Sequence, residues 1–416
     1  MKSRLILLAT IVAVAMAAEV ALAETIVNFA TWASADAVAI WRRDIASFEE
    51  LHPDIKINLI TCSWNEYPDR VPLYLSGAIE VDILRNGGQH LPTFAYLGGL
   101  LPLTPYVKSG QLDLSPFFPQ VLEGTSYNGI LYGLPDHFSP WVLYYNNEMF
   151  SELGLPTPYE LHKRGEWTWD ALERIARQCT IDVTGDGIYD QWGLPPRFAP
   201  TDPYVRQSVM IMNGGPLYNS DYTRYHLDDP RSIAALEWLA SLREYRAPSD
   251  SWGRGTVAMT VGYPTHQLSW KRTLGFEFGV APLPRSANGS YATIMTINIM
   301  SILQNSKNPD AALKFMQYIC GQEIQRQRID DNYILSARID VATETLRRPS
   351  LGALNNEILA EITGTVRPWI VPPLYYEEVL AVVNGEFSRV AAGEEPVASA
   401  VARITPMVNA ILAGGK

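Results

Sequence analysis

Residues 25–62 read TIVNFATWASADAVAIWRRDIASFEELHPDIKINLITC, and the order of patterns within them decides the fold. Ile26 to Thr31 form a short apolar strand, Ser34 can cap a helix, and Val38, Trp41, Ile45 and Phe48 then recur at helical spacing. Ile55, Ile57 and Leu59 alternate with Lys56 and Asn58 in a second strand, and Val81 to Leu84 supply a third after another helical segment. Strand, helix and parallel strand in succession predict an α/β fold whose crossovers are right-handed and whose ligands lie at the carboxyl ends of the strands. Those ends carry Trp32 and Ser34, then Trp64 and Glu66, then Asn86, Gly87 and Gln89. Aromatic faces beside amides, a hydroxyl and a carboxylate are what a polyhydroxylated ligand requires. The competing reading of each tryptophan is packing in the core or at its rim.

Working outward, a chain of 416 residues is too long for one ordinary domain. A second α/β region follows the extended segment Trp141 to Tyr145, with one helix capped by Thr168 and another from Pro230 to about Tyr245. Asn213-Gly214-Gly215 marks a tight turn, Ile294 to Leu303 reads as a long strand, and Asn308-Pro309 opens a helix. Tyr376 to Leu412 reads as helix broken at Gly393 and Pro396.

The amino terminus sets the compartment. Lys2 and Arg4 precede the apolar run Leu5 to Ala18, and Ala21-Leu22-Ala23 is a small-residue cleavage site, so residues 1–23 read as a cleaved secretory signal. As a helix that run reaches only about 21 Å, short of a roughly 30 Å hydrocarbon core. The expected location is the periplasm. Of the three cysteines, Cys179 continues a buried helical stripe, while Cys62 and Cys320 are a pair able to bridge or to stay reduced.

Composition excludes several classes. With 47% hydrophobic and 19% charged residues the chain is globular rather than disordered or fibrous, and 33 basic against 44 acidic side chains do not suit a nucleic-acid binder. There is no GxSxG elbow, HExxH helix or GxxxxGK phosphate loop, and the six histidines lack metal-ligand spacing. Gly253, Gly255 and Ala258 only loosely mimic a dinucleotide fingerprint, and no pattern of paired carboxylates singles out a glycoside hydrolase. Asp182-Val183-Thr184-Gly185-Asp186-Gly187-Ile188-Tyr189-Asp190 imitates a calcium loop, yet Gly193 stands at its twelfth position, where a bidentate glutamate belongs. An Asx turn closed on its own backbone is the preferred reading over an ion held by Asp182, Asp186 and Asp190. No cofactor is implied.

The ordered fragments Phe29-Ala30-Thr31-Trp32, Phe48 through Lys56, Tyr127 through Pro135 and Tyr144 through Phe150 continue with Asp186 through Gly193 and Ser306 through Ala312. Together they resemble the family 1 extracellular solute-binding proteins of ABC importers. The resemblance implies a periplasmic-binding-protein-like type II fold: two α/β lobes joined by a three-segment hinge, with the ligand between them. It places lobe 1 at 24–138 and 299–337, lobe 2 at 144–291 and 342–416, and the crossings at 139–143, 292–298 and 338–341. It adds Asp136, His137, Trp141, the Asn213 to Gly215 turn and Tyr263 to the pocket. Tyr263 and Asn298 stand where many relatives carry tryptophan, and Ser336 where they often carry proline. The implied partners are a carbohydrate and a membrane permease, with no nucleic acid and a monomeric chain. An anionic sugar or glycerol phosphate ester, met by Arg85, Arg338 or Arg367, is the alternative ligand class.

Overall fold

The computed structural model describes residues 24–286, 288–331, 335–345 and 352–414; the leader 1–23 lies outside them. The opening stretch folds as its pattern predicts. Strand β1 (Thr25–Trp32), helix α1 (Ala35–Leu51) and strand β2 (Ile55–Cys62) follow in order, and β1 pairs with β2 in parallel register from Thr25↔Ile55 to Trp32↔Cys62. Ser34 caps α1 by accepting a hydrogen bond from the Ala37 N–H, while Trp41, Ile45 and Phe48 turn into the core. Helix α2 (Tyr67–Leu75) leads to β3 (Ile83–Gly87), which lies parallel to β1 on the side opposite β2.

Two strands extend this sheet and leave it. Strand β4 (Leu134–Pro140) belongs to the first sheet; after Trp141 the chain continues as β5 (Val142–Asn146), the centre of a separate antiparallel sheet. Helices α3 (Trp169–Gln178), α4 (Pro203–Met212) and α5 (Pro230–Ser241) follow, and β6 (Met259–Gly262) and β7 (Phe278–Ala281) flank β5. Side chains of the small sheet alternate between two cores. Val142, Tyr144, Phe278 and Val280 join the core of the first half, whereas Leu143, Tyr145, Met259 and Ala281 join the second.

The ten-residue strand β8 (Thr293–Ile302) spans both halves. Its start touches α4, where the Ile294 N–H donates to Ser208 Oγ at 3.1 Å, and its end pairs with β3 from Asn298↔Gly87 to Ile302↔Ile83. β4 lies antiparallel along its other edge. The two strands are stitched where the chain changes sheets: the Trp141 N–H donates to the Ile294 carbonyl, and the Thr293 hydroxyl to the Trp141 carbonyl.

Helices α6 (Pro309–Ile319), α7 (Gln322–Asp330) and α8 (Ile339–Thr345) pack on the first half. Helix α9 (Ile358–Thr363) and strand β9 (Val366–Pro368) precede α10 (Tyr376–Ala392) and α11 (Val397–Leu412). The last two helices cover α4 and α5 through a core of Val383, Phe387, Val401 and Ile404 against Met210 and Leu236. Gly393, at φ +77°, ends α10 in the left-handed conformation, and Pro396 precedes α11.

Ile339 donates its N–H to the Pro116 carbonyl, and Val341 and Ala342 are buried in the first core. Further on, the Leu354 N–H donates to the Phe278 carbonyl of the small sheet, and β9 pairs with the beginning of β8 at Thr293↔Val366. One expectation needs correction. The third strand runs through Gly87 instead of ending at Leu84, because β8 provides an antiparallel partner as far as Asn298. Cys62, Cys179 and Cys320 are all buried free thiols, which leaves Cys62 and Cys320 unbridged.

Candidate functional site

A cleft of about 540 Å³ opens where β1 ends and β4 and β8 cross between the halves. Trp32, Ser34, Ile40 and Trp41 line it from the end of β1 and the start of α1, and Tyr263 and Thr265 from the turn after β6. The floor follows from strand register. His137 lies opposite Asn298 and Ser139 opposite Thr296, so a period of two turns four polar side chains toward the cleft and Phe138 and Ile297 away from it. Ser139 is 4% exposed, and its hydroxyl has no hydrogen-bond partner among the described residues. A buried hydroxyl left unpaired costs about 1–3 kcal/mol, so this one is poised to gain from a polar ligand.

A larger hollow of about 880 Å³ lies at the opposite ends of the same strands. Its polar groups already serve one another: Asp82 accepts from the Asn28 N–H and from Ser306 Oγ, Asn58 Nδ2 donates to Asn28 Oδ1, and Lys307 pairs with Glu80. The smaller cleft therefore has the stronger chemical claim.

Beneath the cleft runs a ladder of buried charge. Arg85 donates from Nε to Asp136 at 3.0 and 3.2 Å and approaches the same carboxylate through NH2 at 3.0 Å. Arg328 reaches Asp136 at 3.4 Å and Asp44 at 3.0 Å; Asp44 and Asp331 in turn share Arg43. Arg85 lies 4.8 Å from the centre of the Trp32 ring, and Arg328 lies 4.0 Å from that of Trp41. Cations packed against both indoles hold these aromatic side chains in place.

His137 is buried at the cleft floor, and burial, reinforced by the nearby Arg85 charge, lowers its imidazole to about 3. It is therefore a neutral floor residue at ordinary pH. In the unfolded chain the ring titrates near 6.5, so between about pH 6.5 and 3 the unfolded state takes up the proton first. The stabilising contribution is complete above that window and declines as pH falls through it, by at most about 1.4 kcal/mol per pH unit. His137→Gln should flatten this part of the stability–pH curve measured by chemical denaturation; an unchanged slope would refute the assignment.

Of the residues expected at the site, Trp32, Ser34, His137, Tyr263 and Asn298 line the cleft. Asp136 does not present its carboxylate there, being held by Arg85 and Arg328. Asn86 donates to Ser301 Oγ inside the sheet, and Glu66 is used in a capping box, accepting from the Ser63 N–H while its own N–H donates to Ser63 Oγ. Gly87 is a sheet residue opposite Asn298, and Gln89 lines a small recess on the Trp369 side of the floor. Trp141 is covered by the Tyr204 ring at 5.0 Å and by Arg197 at 4.3 Å, and it supports Tyr263 at 4.6 Å from behind. The Tyr204 ring lies 6.0 Å from that of Tyr263, whose phenol is pushed up chiefly by burial.

The Asn213 to Gly215 turn ends α4 away from the cleft, Asn213 donating to the Arg231 carbonyl. Arg338 is paired with Asp340 beside the Phe117 ring. Trp64 stands one ring outside the lining. Thr296, Ser139, Thr265 and Asp331 were missed by sequence reasoning; the first two become visible only when β4 and β8 are placed in register.

The calcium-like loop is closed by its own main chain. Asp182 accepts from the N–H groups of Gly185 and Gly187, and Asp190 from those of Val183 and Thr184. These bonds make an Asx-type turn, and those of Gly187, Gly185 and Asp186 hold the Asp182 carboxyl below its ordinary range.

Comparison with known proteins places this geometry among binding proteins. The model of the bacterial extracellular solute-binding protein family matches residues 32–326. A relative in Brucella abortus (strain 2308) is 24% identical over 290 residues, 66% of each chain, so the match spans just under two thirds of that protein. The arabinooligosaccharide-binding protein of Bacillus subtilis (strain 168) is 24% identical over 314 residues, 67% of this chain and 68% of that one. Among solved structures, the cyclic alpha-maltosyl-1,6-maltose binding protein of Arthrobacter globiformis has a TM-score of 0.80 at 17% identity, covering 94% of this chain and all 100% of its own. An ABC substrate-binding protein of Listeria monocytogenes in complex with cycloalternan has a TM-score of 0.76 at 22% identity, covering 94% and 99%. These structural likenesses establish a shared type II, two-lobed α/β fold.

Proposed function

Since this chain belongs to the bacterial extracellular solute-binding protein family, we propose that it is exported by its leader, binds a neutral sugar, oligosaccharide or glycoside between its two halves, and delivers it intact to an ABC permease. The observation that carries this reading is the cleft itself, which Trp32 and Tyr263 line together with His137, Asn298, Thr296 and Ser139, whose hydroxyl finds no partner among the described residues. A sugar has an apolar ring face for the aromatics and hydroxyls for the floor. The carbohydrates printed for its relatives and structural neighbours support the same class.

The anionic alternative draws less support. Arg85 faces the cleft already bonded twice to Asp136, Arg338 is paired with Asp340, and Arg367 donates to the Val366 carbonyl. An anion would have to compete with those partners, whereas a neutral ligand leaves them undisturbed. The chemistry proposed is binding and release. Contacts from both halves favour the closed arrangement, so closure follows from differential affinity for the two states.

A thermal-shift screen of neutral sugars, acidic sugars and polyol phosphates tests this directly, since ligand at 100 times its Kd stabilises by about 2.7 kcal/mol. The expected hit is neutral and is recovered chemically unchanged after incubation. Stabilisation confined to acidic sugars or polyol phosphates would overturn the neutral reading, and recovery of cleaved sugar would overturn the carrier. For the ligand found, Tyr263→Ala should weaken binding about tenfold to a hundredfold in calorimetry, the scale of about 1–3 kcal/mol for an aromatic contact and its hydrogen bonds.

A further inference from the structure

Among the described residues Trp64 is the one tryptophan that is exposed, at 50%, and it stands immediately outside the cleft, its ring centre 5.0 Å from that of Trp32. Its place beside the cleft, more than its exposure, marks it as a surface a ligand could cover. This one is also fixed in advance. The Ser63/Glu66 capping box closes the turn that carries it, with reciprocal bonds of 3.1 and 3.3 Å. The Tyr67 ring lies parallel to it, 4° between planes at 5.9 Å, and the Tyr67 hydroxyl is itself anchored on the Arg85 carbonyl at 2.8 Å. The anchor of the rim is thus the residue whose guanidinium backs Trp32.

We propose that Trp64 is an outer stacking subsite continuous with the cleft, so that the ligand is a chain of at least two sugar rings. One ring lies between Trp32 and Tyr263, and the next rests on Trp64. Preorganisation makes such a platform effective, because the indole loses little freedom when the second ring arrives. The inference rests on the carbohydrate reading above and goes beyond it by setting ligand length and the residue that senses it.

The test is calorimetry on the full mature chain with three series: glucose, maltose and maltotriose; mannose, mannobiose and mannotriose; arabinose, arabinobiose and arabinotriose. Wild type, Trp64→Ala and Trp64→Phe are compared, with circular dichroism to show that the variants fold. In a series that binds, the two-ring member should bind wild type at least tenfold more tightly than the single ring. Trp64→Ala should abolish most of that advantage, Trp64→Phe should keep part of it, and the two-ring ligand should protect Trp64 from acrylamide quenching. The subsite is overturned if the single ring binds as tightly as the longer members, or if Trp64→Ala weakens all lengths equally. Failure of every series to bind would instead remove the carbohydrate reading beneath it.

Discussion

Asp136→Ala is expected to lower the stability of this protein by about 3–5 kcal/mol, the usual cost of removing one partner from a buried ion pair. The Asp136 side chain is 0% exposed, and it is shared by Arg85 at 5% and Arg328 at 1%. Its loss removes the carboxylate that takes Arg85 Nε and Nη2 and one of the two carboxylates that meet Arg328, Asp44 being the other. Neither guanidinium can shed its proton to escape, because arginine stays charged at any working pH. Asp136→Asn keeps the volume and one acceptor and should be the milder change. Urea denaturation of the two variants beside wild type measures both effects, and a cost below about 1 kcal/mol for the alanine variant would show that the ladder is solvated or dispensable. A binding effect should accompany the structural one, since Arg85 lines the cleft and lies 4.8 Å from the centre of the Trp32 ring.

Gly193→Ala is the second large expectation, with a cost of about 3 kcal/mol or more, at the upper end for overpacking. The reason is space, not backbone conformation. A Cβ on Gly193 would overlap the Cα and carbonyl oxygen of Ala176 and come within 2.7 Å of its carbonyl carbon. Those atoms are the main chain of α3, which cannot step aside as a side-chain tip can. Gly193 is tied on both sides, its N–H donating to Thr180 Oγ1 and its carbonyl accepting from the Met259 N–H. Gly187 is the control. It has φ +88° and nothing within 4 Å of an added Cβ, so Gly187→Ala should cost only the roughly 1–2 kcal/mol of a left-handed alanine. Equal losses in the two variants, read by the same denaturation, would contradict the steric account. The contact also explains why the calcium-like loop lacks its final glutamate: no side chain fits at that position.

Much of the candidate site was legible because it depends on strand ends. Trp32 and Ser34 follow a strand that any period count would find, and the parallel pairing of β1 and β2 brings Trp32 to Cys62, close to Trp64. What could not be read was which polar group already has a partner. Asp136, Asn86 and Glu66 have the right chemistry and nearly the right address, but they serve Arg85, Ser301 and Ser63. Trp141 has the right chemistry too, yet both of its neighbours Tyr204 and Arg197 cover it. Ser139 and Thr296 were missed for the opposite reason, being ordinary residues in apolar strands until β4 and β8 are set side by side.

The amino-acid sequence by itself determined the α/β class, the helix cap at Ser34, the parallel order of the opening strands and the broken helical end at Gly393, because each depends on residues a few positions apart. Tertiary structure alone decided the cleft floor and the charge ladder from Arg43 to Arg85. Those depend on pairs such as Arg328 with Asp44, separated by 284 positions, which join α7 to α1. Local periodicity specifies which face of an element is buried; it does not specify which distant polar atom will be waiting there.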